Sequence, residues 1–362
     1  MMLRRTVWLW ALLACAWCQA AVAAEARYEI GWPDLPQHKT WVVDLHMHTV
    51  FSDGLVWPTV RVAEAWRTGL HAIAISDHIE YQPHKEDVPT KHNRPYEIAL
   101  GAARDRGLLL VRAAEITRDT PPGHFNAVFL DDIQPLDTPG FVDSLAEAKK
   151  QDAFVFWNHQ GWKGEEKGRW MDVHTEIFDK KLFQGMEVCN GNSYFPKAHQ
   201  WCLEKNLTMM GTSDIHDTET RLKNTAADHR TVTLVFVKEP TAQGLKEALL
   251  AGRTLVWFKD QLIGKPEWLE AMFAAGVRVL PPNSRGKAHL FVPIENTLPC
   301  DLVLKQSGKV GPAEITLPAK ATSLVRISTQ DPNSPIELKY TVTNWLVAPE
   351  KGPAITLTVA GK

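Results

Sequence analysis

The alternation of apolar and polar positions gives the chain two textures. Between residue 41 and about residue 258, short apolar runs alternate with helix-period stretches. The series begins with Trp41-Val42-Val43-Asp44-Leu45 and a helix opened by Pro58 and closed near Gly69. The same reading predicts strands at 72–75, 108–111, 125–130, 153–157, 186–189, 208–211 and 232–237, with helices at 94–106 and 193–205. Strand then helix, repeated, marks an α/β layer or barrel, and near-continuous apolar strands fit a sheet covered on both faces. After about residue 262 the pattern shortens. Strands at 287–295, 301–305, 313–317, 323–328, 337–343 and 354–359, separated by Pro, Gly and Asn turns, predict a small all-β, sandwich-like domain, with a helix at 266–275 on the boundary.

The first residues follow a different rule. Arg4 and Arg5 precede an apolar run from Val7 to about Trp17, and Ala21-Val22-Ala23-Ala24 precedes Glu25. That is the layout of a cleavable secretory signal, and the run falls short of the roughly 20 apolar residues a membrane span needs. A lipoprotein processed at Leu12-Leu13-Ala14-Cys15 is the lesser alternative, because a bulky leucine stands where a small residue is usual. The expected division is therefore a signal at 1–24, a linker at 25–38, an α/β domain at 39–262 and a β domain at 263–362. The protein is expected to be exported, to the periplasm or beyond, with no membrane span after signal removal.

Charge and cysteine usage narrow the function classes. Loss of Arg4 and Arg5 takes the 40 basic residues to 38 against 42 acidic ones, a formal charge of −4. Basic residues are scattered among acids, with no stripe of the kind nucleic-acid binding favours. Cys15 and Cys18 leave with the signal. Cys189, Cys202 and Cys300 remain, so a Cys189–Cys202 bridge and three buried thiols are both open, and the absence of a CxxC argues against a thiolate metal site.

Chemistry concentrates at predicted strand ends. Asp44-Leu45-His46-Met47-His48-Thr49 closes the first strand, and alternation along an extended chain points His46 and His48 the same way, so that they can grip one ion. The second strand ends in Ser76-Asp77-His78, the third in Ala114-Glu115, and later strands in Asn158-His159 and Ser213-Asp214-Ile215-His216. His124 fits less neatly, because it opens its strand. In parallel α/β architectures the carboxyl ends of the strands share one face, where sites are assembled. This ligand set exceeds what one catalytic zinc needs and implies two or three divalent transition-metal ions, with imidazoles suiting zinc, manganese or iron.

These motifs, in this order, resemble the PHP (polymerase and histidinol phosphatase) superfamily, over residues 41 to about 258. The resemblance implies a distorted (β/α)7 barrel and usually a trinuclear centre. One ion would be held by His46, His48, Glu115 and Asp214, a second by Glu115 as bridge with His124 and His159, and a third by His78 and His216. Where some members offer a further histidine to the third ion, this chain offers Asp53. The segments 229–236 and 252–258, with the trailing β domain, look like the secreted Sb-PDE-type phosphodiesterases. The implied reaction is hydrolysis of a small-molecule phosphate ester, a phosphodiester first, by a metal-bound hydroxide.

Other roles are suggested by position. His84 or His92 would serve as leaving-group acid, Asp77 would orient a ligand or water, and Arg118 would hold a phosphate oxygen. Asn190, Asn192 and Trp162 would contact substrate. His71, His174 and His199 fall in or beside helices without a partner pattern, and His289 is isolated in the β domain. A phosphomonoesterase is the alternative within phosphate chemistry. An amidohydrolase acting on amides or lactones is the alternative outside it, and it is disfavoured by Asp214-Ile215-His216 and by Glu115, rather than a lysine, in the bridging place. In a non-enzymatic reading the metals would only stabilise the fold, but a structural site needs four ligands and not a cluster.

Overall fold

The computed structural model describes residues 24–89 and 91–362, so the signal-type segment lies outside the described residues apart from Ala24. Eleven strands lead the chain: β1 (Lys39–Asp44), β2 (Ala72–Ile75), β3 (Leu109–Ile116), β4 (Phe125–Val128), β5 (Phe154–Trp157), β6 (Gly185–Asn190), β7 (Ser193–Tyr194), β8 (Thr208–Thr212), β9 (Val232–Val237), β10 (Thr254–Phe258) and β11 (Gln261–Gly264). Seven helices lie among and after them: α1 (Pro58–Arg67), α2 (Arg94–Asp105), α3 (Phe141–Lys150), α4 (Asp172–Asp179), α5 (Pro196–Lys205), α6 (Ala242–Leu250) and α7 (Pro266–Gly276). Among the described residues no helix is long and apolar enough to cross a membrane.

These strands form one curled mixed sheet in the order β11-β10-β9-β1-β2-β3-β4-β5-β6-β7, with β8 on the other side of β6. The pairs β1–β2, β2–β3, β5–β6 and β6–β8 are parallel, whereas β4 is antiparallel to both β3 and β5, and β9 to β1 and β10. Strand and helix do not alternate throughout: β3 turns directly into β4 with no helix between them. That reversal accounts for His124. The amino end of an antiparallel strand lies beside the carboxyl ends of its neighbours, so His124 joins the same face as Glu115 and His159.

The curl is drawn together by threonines. β8 has no ladder with β9 or β10, but Gly211 N donates to Thr233 Oγ1 at 2.9 Å and that hydroxyl donates to Gly211 O at 2.8 Å. Thr254 Oγ1 donates to Met209 O at 2.8 Å in the same seam. A valine has almost the shape of threonine but no hydroxyl. Thr233→Val leaves the buried Gly211 N–H unpaired, and a loss of about 2 kcal/mol in urea unfolding is the expected outcome.

The rest of the chain folds as β12 (Val277–Val279), β13 (Ser284–Arg285), β14 (His289–Asn296), β15 (Leu302–Gln306), β16 (Glu314–Leu317), β17 (Ala321–Ser328), β18 (Ile336–Val342), β19 (Trp345–Leu346) and β20 (Ala354–Val359). One sheet runs β12-β14-β13 with β17 on β14, and the other runs β16-β15-β18-β20. Alternate residues of β18 and β20 face inward, as two packed antiparallel sheets require. β19 instead pairs parallel with β11 and extends the large sheet. Leu290, Ile327 and Leu338 also share one apolar core with Val42, Ile73 and Leu255.

The segment expected as a linker is packed. Ile30, Trp32 and Leu35 are buried in that same core, and the Arg27 guanidinium donates to the carbonyls of Trp66, Gly69 and Leu70. Cys189, Cys202 and Cys300 are buried free thiols, so the alternative of a Cys189–Cys202 bridge is not realised. Burial pushes the Cys300 thiol up to about 12.

Candidate metal centre

The centre begins where β1 ends. The chain stays extended past Asp44 because Met47 bridges to Ile215, with Asp214 N donating to His46 O and His48 N to Ile215 O. Alternation therefore continues, and both imidazoles reach one point: His46 Nε2 and His48 Nε2 are 3.1 Å apart, each 3.3 Å from Glu115 Oε2. Asp214 Oδ1 lies 3.1 Å from His46 Nε2 and 3.0 Å from His48 Nε2.

Glu115 is the hub. One oxygen is 2.9 Å from His78 Nδ1 as well as near His46 and His48, and the other is 2.9 Å from His124 Nδ1 and 3.5 Å from His159 Nε2. Asp53 Oδ1 collects a second group, 3.2 Å from His216 Nε2, 3.5 Å from His78 Nε2 and 3.6 Å from His48 Nδ1. Asp53 is delivered by the tight 49–54 turn, which needs Gly54: a Cβ there would stand 2.5 Å from the carbonyl carbon of His48. His159 and Asp214 both hold left-handed backbone, at φ 24° and 51°. Such conformations in residues other than glycine are costly and gather at functional positions.

Ligand-type atoms converge in four overlapping groups, each within 4.8 Å: His48, Asp53, His78 and His216; His46, His48 and Asp214; His46, Glu115 and His159; and His78, Glu115 and His124. The structure thus brings together all nine residues singled out as ligands. The donor chemistry fits divalent transition metals. Asp214 Oδ1 is buried and makes no hydrogen bond although two imidazole nitrogens lie beside it, which is how ligands stand around a shared cation.

Electrostatics agree with that reading. Burial alone would raise Glu115 and Asp214, but the imidazoles of His78 and His46 hold Glu115 well below the usual carboxylate range, and those of His46, His48 and His159 do the same for Asp214. The demand is returned to the histidines. Burial would lower His46 and His78, yet the carboxylates lift His46 far above its ordinary value and His78 to about 10, while burial and the His78 charge push His48 down to about 4. A divalent cation answers the same demand with neutral imidazoles as ligands.

Around these residues lies a layer that orients them. Asp77 accepts from Thr49 N and Thr49 Oγ1, both at 2.6 Å, and from Ser52 Oγ at 2.8 Å, while Ser52 Oγ is 3.2 Å from His48 Nδ1. Glu187, on β6, is fully buried. It sits 2.8 Å from His46 Nδ1 and accepts from His159 N at 2.7 Å, Thr212 Oγ1 at 2.5 Å and Asn190 Nδ2 at 2.9 Å. An imidazole that donates through Nδ1 presents Nε2 as a lone pair, so Glu187 selects the ligating tautomer of His46. Glu187→Gln keeps the shape and removes the charge. Metal affinity, read by competition with a chelating dye, is expected to fall by about 10- to 100-fold.

A cavity of about 760 Å³ opens over the centre, lined among others by Tyr81, Thr117, Trp162, Lys163, Ser193 and Phe195. Several residues suggested for chemistry fall outside it. Asp77 holds the 49–54 turn through Thr49 and Ser52, His84 lies on the loop beyond, and His92 is held by Asp137 and Gln82. Neither His84 nor His92 lines the cavity. Arg118 lines the cavity, but its guanidinium is taken by Glu80, the carbonyls of Thr117 and Thr138, and Ser144 Oγ. Asn190 gives its amide to Glu187 and, at 3.2 Å, to Asp214 Oδ2, so it positions a ligand. Asn192 lines a separate cavity of about 270 Å³ beside Asp214 and His216. Trp162 faces the main chamber, half exposed, its ring centroid 5.7 Å from those of His124 and His159.

Comparison with known proteins places the chain. It superposes on the solved structure of a two-domain protein from Bacteroides vulgatus containing a predicted PHP-like metal-dependent phosphoesterase. Identity is 42%, the TM-score is 0.88, and the match covers 93% of this chain and all of that one. The chain belongs to this PHP-like metal-dependent phosphoesterase family. Residues 277–358 match the DUF5001 family of Ig-like domains. Two weaker likenesses are a candidate metal-dependent phosphoesterase from Bifidobacterium adolescentis (18% identity, TM-score 0.38, 49% of this chain and 88% of that one) and a lesion-specific endonuclease from Pyrococcus furiosus (13%, 0.42, 63% and 59%). No curated protein matches the chain.

Proposed function

We propose that this protein hydrolyses small-molecule phosphate esters, phosphodiesters before monoesters, at a centre of two or three zinc, manganese or iron ions. The observation that carries the reading is Glu115, a single buried carboxylate within 3.5 Å of five imidazoles on four different strand ends and loops. Divalent ions bound there would supply Lewis acidity and water activated at neutral pH. His46, His48, Asp53, His78, Glu115, His124, His159, Asp214 and His216 would hold them.

The chain's own residues prepare the rest. Glu187, Asp77 and Asn190 fix ligand tautomers and rotamers before substrate arrives, which removes reorganisation from the reaction. Tyr81, Trp162 and Phe195 wall the chamber with rings, whereas its cationic lining consists of Arg118, already engaged, and Lys163. That lining suits a singly charged diester with organic substituents better than a dianionic monoester. The segments 229–236 and 252–258, which form β9 and β10 and their approaches, support a place among the secreted Sb-PDE-type enzymes, and the signal-type start of the chain supports export.

The test uses residues 25–362. Metals are counted by mass spectrometry, and turnover of a chromogenic phosphodiester, a monoester and an anilide is compared with that of His48→Ala and Asp214→Ala. Diester turnover that both variants abolish is the expected result. Anilide turnover without phosphate-ester turnover would hand the site to the amidohydrolases.

A further inference from the structure

Arg118 and Lys163 are the two cationic side chains among the described residues lining the chamber, and their situations differ. Arg118 is held by three neutral acceptors and Glu80. Lys163 has one hydrogen-bond acceptor, Asp119 Oδ1 at 2.7 Å, and lies 4.7 Å from the Trp162 ring centroid. The Asp119 side chain is 87% exposed, so this is a solvated surface pair that contributes little and exchanges readily.

The root of Lys163 is fixed beside the metal centre. Trp162 N donates to His159 O, Gly164 N to Gly161 O and Gly168 N to Gly164 O, which coils the loop immediately after His159. Gly168 closes the coil, since a Cβ there would stand 1.9 Å from Gln160 O. The backbone is set, while the side chain above it carries its ammonium on a four-carbon stem with rotatable bonds.

We propose that Lys163 is the specificity-determining cation of the site, resting on Asp119 in the free protein and transferring to a non-bridging oxygen of the phosphate when substrate binds. This rests on the phosphate-ester reading above. Asp119 is then a competitor of substrate, not a partner in catalysis, and the two residues have opposite effects. Loss of Lys163 weakens phosphate binding, and loss of the Asp119 charge strengthens it.

The experiment compares the metal-loaded parent with Lys163→Met and Asp119→Asn. Inorganic phosphate binding is measured by calorimetry, KM and kcat with a chromogenic phosphodiester, and Tm for each protein. Lys163→Met is expected to raise the phosphate Kd and the diester KM roughly tenfold, as loss of a hydrogen bond from a charged donor does, while Asp119→Asn lowers both. If both variants weaken binding together and lower Tm, the pair is a brace between two loops and the proposal is wrong. Unchanged binding in both variants also overturns it. Phosphate binding that follows the expected signs, in a parent without ester turnover, would leave this inference standing and sink the phosphate-ester reading alone.

Discussion

Glu115→Ala is expected to strip the protein of more than one metal ion and to lower phosphodiester turnover by at least about a thousandfold, since Lewis-acid stabilisation of the transition state is worth several kcal/mol. The size of the effect follows from sharing. Glu115 belongs to two of the four ligand groups and touches imidazoles of the other two, so its loss is felt beyond one site. An alanine at Asp53, which serves a single group, should remove fewer ions. Metal counting on both variants reads the difference, and far-ultraviolet circular dichroism shows that each is folded. A Glu115→Ala protein that keeps its full metal content would show that the carboxylate is a structural counter-ion only.

Most of the ligands were legible in the sequence because they stand at or just beyond strand ends, which are marked by where an apolar run stops; His124, at the start of its strand, and Asp53, in the 49–54 turn, are the exceptions. Of the residues that support them, Asp77 was marked in the same way, whereas Glu187 was not. Glu187 lies inside the apolar run Met186-Glu187-Val188-Cys189, where a lone carboxylate had to be either misread strand or buried partner. Its burial could have been inferred from that position, but its partners, His46 and Thr212, come from distant strands. Asn190 and Arg118 were visible as polar residues near strand ends, and spacing alone could not say that neighbouring groups already engage them. The strand directions were hidden for a related reason. Apolar periodicity carries no sign, so the reversal of β4 showed only as the awkward position of His124. The threonine seam at β8 was equally silent, because Thr233 and Thr254 read as ordinary strand residues.

Arg61→Met is expected to destabilise the fold by about 3–5 kcal/mol, although the substituted position is no metal ligand. Arg61 belongs to the inward stripe of α1 and is 1% exposed. Its guanidinium uses all of its donors: Nε to His48 O at 2.8 Å, Nη1 to Asp217 O at 2.7 Å and Glu64 Oε2 at 2.9 Å, and Nη2 to Ile215 O at 3.0 Å and His216 O at 2.6 Å. Those carbonyls belong to the two loops that present His48 and His216, so one side chain clamps the first and last ligand segments together. Methionine fills the space but takes the arginine's donors from four carbonyls, of which those of Ile215 and His216 keep His48 N and Leu55 N, and removes the cation beside the buried Glu64 carboxylate. Glu64 still receives Glu219 N at 2.8 Å, which does not neutralise it. Urea unfolding of the metal-free protein measures the stability term apart from metal binding. In the loaded protein the clamp's loss should appear as weaker binding at the His48–Asp53–His78–His216 group, with the Glu115 groups less affected. If stability falls and all groups lose metal equally, Arg61 supports the fold as a whole; a selective loss identifies it as the residue that sets the spacing between His48 and His216.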